Sequence, residues 1–300
     1  MKLLARLLIL CLMAGILRAQ DEPQPFSLNV NSDLMELHVS VVDEKERTVG
    51  GLTKDNFQVT ENGITQKITL FKHEDIPVSL GLVLDNSRSI EPRKARLDAA
   101  ALSFVRQSNP DDETFVVHFD FDARLDRDFT KNLPELEQSL AASKPFGQTA
   151  IYDALLLALN HMNQAASHQK KALLLVTDGL DNVSKAKLSQ VLDAVKRSRV
   201  TIIVVGLLSA DEGEKAEDSL TKIAEASGGR AYFPDDVDQA RSYMEKTARD
   251  LRTQYTIGYV PTDTVHDGSW RSVRVNVIPP AGTKMQLVVD YRHGYYRPDP

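Results

Sequence analysis

Five oxygen-bearing side chains occur in three separated segments, each beside an apolar stretch. Asp85, Ser87 and Ser89 follow one apolar run in the pattern Asp-x-Ser-x-Ser, and Asp178 follows another in Thr-Asp-Gly. Thr149 stands just before a long helical pattern. Carboxylate and hydroxyl oxygens without histidine or cysteine suit a hard cation. If folding joins the three segments, the sequence predicts a divalent-cation site, with Mg²⁺ favoured and Ca²⁺ or Mn²⁺ as alternatives.

Other chemical signatures are weaker. His118, Asp120 and Asp122 alternate along one apolar run and offer a second group of potential ligands, but a polar strand face explains them more simply. The remaining histidines are scattered. The sequence contains neither a Gly-x-Ser-x-Gly elbow nor a glycine-rich phosphate-binding fingerprint. We therefore interpret the first set of residues as the candidate site.

The residues of the candidate site belong to an alternating series of strands and helices. Apolar runs of strand length occupy 78–84, 114–119, 171–176, 200–208 and 230–233. Helical patterns occupy 95–107, 150–166, 185–199, 214–227 and 237–253, and 123–129 is a possible edge strand. Continuous apolar strands alternating with helices predict a doubly wound, mainly parallel α/β sheet. Such sheets bind ligands at the carboxyl ends of their strands, where the chain order reverses.

Both flanks of the α/β section show β patterns. Strands are predicted at 34–43, 57–60, 65–71, 255–261, 271–277 and 285–291, and the aromatic and basic tail after them is interpreted as part of a final strand. We predict a flanking β-sandwich-like domain from two segments, 20–75 and 254–300, with 254–300 pairing with 26–75. The α/β domain, 76–253, would be inserted between them. The alternative is two unrelated β appendages.

The motif of Asp85, Ser87, Ser89, Thr149 and Asp178 resembles the metal-ion-dependent adhesion site of von Willebrand factor A (vWA) domains. The resemblance covers roughly residues 76 to 253 and all five motif positions. It implies a Rossmann-like doubly wound sheet with one antiparallel edge strand. It also implies that the two serines and the threonine bind the ion directly, that the two aspartates act through water, and that a partner carboxylate completes the coordination. The whole chain is also similar to secreted bacterial vWA-related proteins.

Residues 1–19 have the pattern of a secretory signal: basic residues, a short apolar run and Ala19. The run is short for a membrane span. We therefore expect cleavage and export, to the periplasm, the envelope or the medium. Leu17 stands where a small residue is expected, so an uncleaved anchor, with membrane contact, is the alternative. Cys11 is the only cysteine, and the mature chain would have no disulfide or thiolate site.

The leading hypothesis for function is an exported, metal-dependent protein-binding module whose partner offers an acidic side chain. The formal net charge of −6 argues against a nucleic-acid partner. Arg88 lies between the two serines, where the vWA family favours small residues; we expect its guanidinium to point outwards, and the alternative is that it covers the site. One rival function is a metal-assisted hydrolase, although no usual general base lies in the motif loops. The other rival is a structural envelope protein with a non-essential site.

Overall fold

The computed structural model describes residues 34–208, 213–280, 282 and 285–297. The predicted signal segment, 1–19, and the first part of the predicted N-terminal β segment, 20–33, lie outside the described residues. Within the described part of the chain, no helix is both long and apolar enough to cross a membrane.

The elements follow the predicted order of β, then α/β, then β. The strands are β1 (Met35–Asp43), β2 (Phe57–Glu61), β3 (Ile64–Gln66), β4 (Ile68–Lys72), β5 (Val78–Asp85), β6 (Glu113–Phe119), β7 (Ala123–Thr130), β8 (Lys170–Thr177), β9 (Val200–Gly206), β10 (Ala231–Tyr232), β11 (Tyr255–Tyr259), β12 (Trp270–Val277), β13 (Leu287–Asp290) and β14 (Gly294–Tyr296). The helices are α1 (Lys94–Gln107), α2 (Leu133–Ala142), α3 (Ile151–Ala165), α4 (Leu188–Arg197), α5 (Gly213–Ser227) and α6 (Val237–Arg252).

A six-stranded sheet forms the centre of the α/β section, in the order β10-β9-β8-β5-β6-β7. All neighbouring strands are parallel except β6 and β7, which are antiparallel. The chain order reverses at β5, because β6 lies on one side of it and β8 on the other. The predicted doubly wound, mainly parallel sheet with one antiparallel edge strand is confirmed.

Helices cover both faces of this sheet, as its continuous apolar strands require. Leu82 and Leu84 of β5 point towards α1, α2 and α6, whereas Val83 points towards α3, α4 and α5. All eight residues of β5 are buried. The strand that carries Asp85 is therefore held rigidly between two apolar layers.

The flanking segments form two four-stranded antiparallel sheets, in the orders β13-β1-β11-β4 and β14-β12-β2-β3. Each sheet combines strands from before and after the α/β section: β1 pairs with β11 and β13, and β2 pairs with β12. The two sheets share one apolar core, which includes Leu37, Val59, Ile257 and Val275. The flanking β-sandwich in the predicted fold class is confirmed, while the domain boundaries remain predictions.

Several predicted elements differ in detail. The single strand predicted at 65–71 is wrong: β3 pairs with β2 in one sheet, and β4 pairs with β11 in the other. Chains often pass between the sheets of a sandwich at such a corner, and residue alternation does not reveal the change. Helix α2 was not predicted, and α4 begins at Leu188 instead of 185. Strand β13 is shorter than expected, and the aromatic tail forms β14, as predicted for a final strand.

Candidate metal centre

The candidate site lies where β5 and β8 end side by side. The two strands are parallel neighbours, with Leu84 opposite Val176. Asp85 ends β5, and Asp178 directly follows β8. The parallel register therefore brings both carboxylates to the same edge of the sheet, at the point where the chain order reverses. The hydroxyl of Thr177 donates a hydrogen bond of 2.6 Å to Asp85 Oδ2 and joins the two strand ends.

Four of the five predicted residues form one connected network. The Oδ1 atom of Asp85 accepts a hydrogen bond of 2.8 Å from the backbone N–H of Ser87. The hydroxyl oxygens of Ser87 and Ser89 are 3.0 Å apart. The Ser89 hydroxyl in turn donates to Asp178 Oδ1 at 2.8 Å. Folding therefore joins the Asp-x-Ser-x-Ser loop directly to the Thr-Asp-Gly turn.

The fifth residue, Thr149, is tied to the same turn through the backbone. Its N–H donates to Asn182 Oδ1 at 3.0 Å, and its carbonyl accepts from the Asn182 N–H at 3.1 Å. The Thr149 hydroxyl oxygen lies 3.8 Å from the place that a β-carbon on Gly179 would take. The hydroxyl of Thr149 is thus next to the residue that follows Asp178.

Burial and charge make the site electrostatically unusual. Asp85 and Asp178 are buried, as are Ser87 and Thr149, whereas Ser89 is exposed. Burial raises the pKa of Asp85 to about 6; hydrogen bonds from Thr177 and Ser87 oppose this rise, and the negative charge of Asp178 adds to it. Two carboxylates held together in this way repel each other, and a cation between them would relieve the repulsion.

The donor set fits a hard divalent cation. The five predicted side chains carry only hydroxyl and carboxylate oxygens, which Mg²⁺ and Ca²⁺ prefer. No group of three or more histidine, cysteine, aspartate or glutamate side chains in the described part of the chain is arranged to hold a metal ion. Direct coordination at the candidate site would therefore depend on hydroxyls, with two carboxylates supplying the charge.

Two arginines lie beside the site, and only one was considered from the sequence. The side chain of Arg88 is exposed, and none of the ion pairs found among the described residues includes it. Arg93, by contrast, donates from Nη1 to Asp178 Oδ2 at 3.3 Å. Arg93 is the N-cap residue of α1 and follows Ser89 by four residues, about one helical turn. That spacing is the sequence feature from which its position beside the site could have been predicted. The hydrogen bond from Thr177 to Asp85 was also not predicted. The position of Thr177 directly before Asp178 is the sequence feature that could have indicated it.

Comparisons with known proteins agree with the fold of the α/β section. Residues 80–180 match the family model of the von Willebrand factor type A domain. No curated protein matches the chain significantly.

Three solved structures share the fold at low sequence identity. A von Willebrand factor type A protein from Catenulispora acidiphila is 14% identical with a TM-score of 0.52, over 87% of this chain and 74% of that one. A D319A mutant of the PilB minor pilin from Streptococcus sanguinis is 12% identical with a TM-score of 0.51, over 59% and 62%. Proximal thread matrix protein 1 from the mussel byssus is 18% identical with a TM-score of 0.50, over 62% of this chain and 49% of its own. The match over residues 80–180 and the sheet topology together show a fold of the von Willebrand factor type A kind in the α/β section.

Proposed function

We propose that this protein is an exported, metal-dependent protein-binding module. Asp85, Ser87, Ser89, Thr149 and Asp178 hold a divalent cation, with Mg²⁺ as the expected ion. The observation that carries the proposal is the contact network from Asp85 through both serines to Asp178, in which Ser89 is exposed to solvent. Domains of this family generally mediate protein–protein interaction.

The hydroxyl residues and the aspartates of the proposed site have different roles. The hydroxyls of Ser87, Ser89 and Thr149 bind the cation. Asp85 and Asp178 supply negative charge and orient the hydroxyls and water around it. Because the hydroxyls are neutral, the bound cation attracts a further oxygen ligand, which is the carboxylate of an acidic side chain on the partner protein.

Binding is favoured over hydrolysis by the hydrogen bonds of the two carboxylates. Asp85 accepts hydrogen bonds from Thr177 and Ser87, and Asp178 accepts from Ser89 and Arg93. A general base must be available to accept a proton from the attacking water. These bonds hold both carboxylates in place, which suits holding an ion and its ligand.

Thermal unfolding of the full chain tests the metal site. A ligand that binds only the folded state stabilises it by about 2.7 kcal/mol at a hundredfold excess over its Kd. We expect Mg²⁺ to raise the Tm relative to a chelator, and Asp85→Ala to abolish the rise. Asp193→Ala is the matched control, because Asp193 is an exposed carboxylate of α4 that pairs with Arg197. A rise that persists in both Asp85→Ala and Asp178→Ala would place the ion elsewhere.

Export is tested separately. The proposal depends on the leader pattern of residues 1–19. Mass spectrometry of the protein made in its native host should show a new N-terminus near Gln20. A mature pool that retains Met1 would contradict cleavage and favour an anchored protein.

A further inference from the structure

Two aromatic side chains lie exposed at the same edge of the sheet as the candidate metal site. The exposed fractions of Phe121 and Phe146 are 42% and 56%. Their rings form an edge-to-face pair, with centroids 5.7 Å apart and an angle of 64° between the planes. Keeping two adjacent aromatic rings in water forfeits the free energy of burying them. A paired exposed aromatic patch is therefore a candidate contact surface.

Hydrogen bonds attach Phe146 to the loop that carries the proposed serine ligands. The backbone N–H of Phe146 donates to the carbonyl of Asn86 at 2.8 Å. The next carbonyl, that of Gly147, accepts from the N–H of Arg88 at 3.4 Å. Asn86 and Arg88 are the two residues on either side of Ser87. The Phe146 ring is thus carried directly beside the proposed site.

Phe121 is attached from the other side of Thr149. It follows Asp120, whose carbonyl accepts a hydrogen bond of 2.9 Å from the N–H of Ala150. The side chain of Asp120 is fixed by Arg124, at 2.7 and 3.0 Å. The loop after β6 is therefore joined to the chain immediately after Thr149.

The patch is fixed in position before any partner arrives. Gly147 has a φ of +78°, a conformation that favours glycine. The ring of Phe121 packs directly over Gly147, so that a β-carbon at this position would collide with the ring. The glycine therefore allows the two aromatic rings to meet, and little conformational freedom remains to be lost when a partner binds.

The positive charge at the proposed site indicates what the partner carries. Arg88 is exposed beside the site, and the proposed site contributes a divalent cation. Both attract a negatively charged group. Because the backbone around Phe146 is hydrogen-bonded to the loop that carries Arg88, one partner segment can present an acidic and an apolar side chain together.

We propose that Phe121 and Phe146 bind an apolar side chain of the partner, one or two residues from the acidic side chain that reaches the cation. The inference rests on the proposed function and specifies the partner's chemistry: an exposed peptide segment with an aspartate or glutamate next to a large apolar residue. The aromatic pair determines which acidic segments bind, while the ion supplies attraction common to all of them.

A peptide library with one fixed aspartate and random neighbours tests this specificity. The library is displayed on phage, selected on the immobilised full chain in Mg²⁺ and eluted at low pH, which releases peptides whether or not their binding needs the ion. We expect enrichment of large apolar residues within two positions of the aspartate. Selected peptides are then synthesised with a fluorophore, and their Kd is measured by anisotropy with wild type and variants. Phe146→Ala should weaken binding about tenfold, which corresponds to about 1.4 kcal/mol.

Matched variants separate this inference from the proposed function. Ile64→Ala removes a side chain of similar exposure, 57%, on the flanking sandwich and should leave Kd unchanged. Phe121→Leu keeps an apolar side chain over Gly147 and should weaken binding less than Phe146→Ala. Thermal unfolding of each variant verifies that it is folded.

Three results would overturn the inference. Peptides that require Mg²⁺ and Asp85 but bind Phe146→Ala with unchanged Kd leave the proposed function intact and contradict the aromatic patch. Enrichment of acidic peptides without an apolar preference does the same. Peptides that bind equally in chelator and to Asp85→Ala contradict both the proposed function and this inference.

Discussion

The contact between Arg93 and Asp178 predicts a specific effect on metal affinity. The guanidinium of Arg93 lies 3.3 Å from a carboxylate that we propose to serve the cation. In the absence of metal, this positive charge partly offsets the two buried carboxylates. When a cation binds, the same charge repels it. Replacing Arg93 with glutamine should therefore strengthen metal binding.

The expected magnitude is modest, because solvent screens the interaction. The Arg93 side chain is 44% exposed, whereas the side chain of Asp178 is only 2% exposed. A unit charge and a divalent ion about 8 Å apart interact by about 1 kcal/mol in a water-like dielectric. Arg93→Gln should lower the Kd for Mg²⁺ about fivefold. In chelator the variant should lose less than about 1 kcal/mol of unfolding free energy, as is usual for a partly exposed ion pair.

Isothermal titration with Mg²⁺ and thermal unfolding in chelator measure these two effects. Arg96→Gln is the matched control. It removes the same charge from the beginning of α1, but Arg96 pairs with exposed Asp238, at 2.8 Å. We expect no change in metal affinity in this control. Equal affinities in Arg93→Gln and wild type would show that Arg93 does not act on the site.

Three further predictions concern the scaffold and are checked by urea unfolding. Glu61 is buried and accepts hydrogen bonds from two tyrosine hydroxyls of the C-terminal segment, at 2.8 and 2.9 Å. Glu61→Ala should lower the unfolding free energy by about 3 kcal/mol, and Glu61→Gln, which keeps an acceptor, should lower it by about half of that. Burial lowers the pKa of Lys170 to about 8, so the unfolded chain binds more protons between that pH and its own pKa of about 10.4. Stability should consequently rise with pH above about 8, and Lys170→Met should abolish the rise. A β-carbon on Gly81 would overlap fully buried side chains of both neighbouring strands, and Gly81→Ala should cost about 1–3 kcal/mol.

Each of these predictions has a result that contradicts it. Equal losses in the two Glu61 variants would mean that the tyrosine hydrogen bonds do not hold the segments together. If the unfolding free energy of Lys170→Met still rises with pH above about 8 as in wild type, groups other than Lys170 cause the rise. Gly50→Ala is the control for Gly81, because no atom lies within 4 Å of its β-carbon position. Equal stabilities in the two glycine variants would refute the close packing of β5.

Local patterns were sufficient to predict the architecture and to choose the candidate residues. Continuous apolar strands such as β5 and β8 indicated a parallel sheet because both of their faces are buried. Asp85 and Asp178 were expected at one edge because parallel strands present their carboxyl ends together. The alternation of buried and exposed residues in β12 likewise identified a half-buried strand. Helix α2 was missed although Asn132 and Pro134 mark its start.

Tertiary structure alone decided which distant residues touch. The change of sheets between β3 and β4 depends on how two sheets pack, and no local period encodes it. The pairing of Phe121 with Phe146 required the loop after β6 to meet the chain before Thr149. The same holds for Arg93 and Asp178, which lie on different segments and meet only when α1 packs beside the end of β8. Periodicity reports the environment of one residue at a time, whereas a binding surface depends on the relative positions of several loops, which packing fixes.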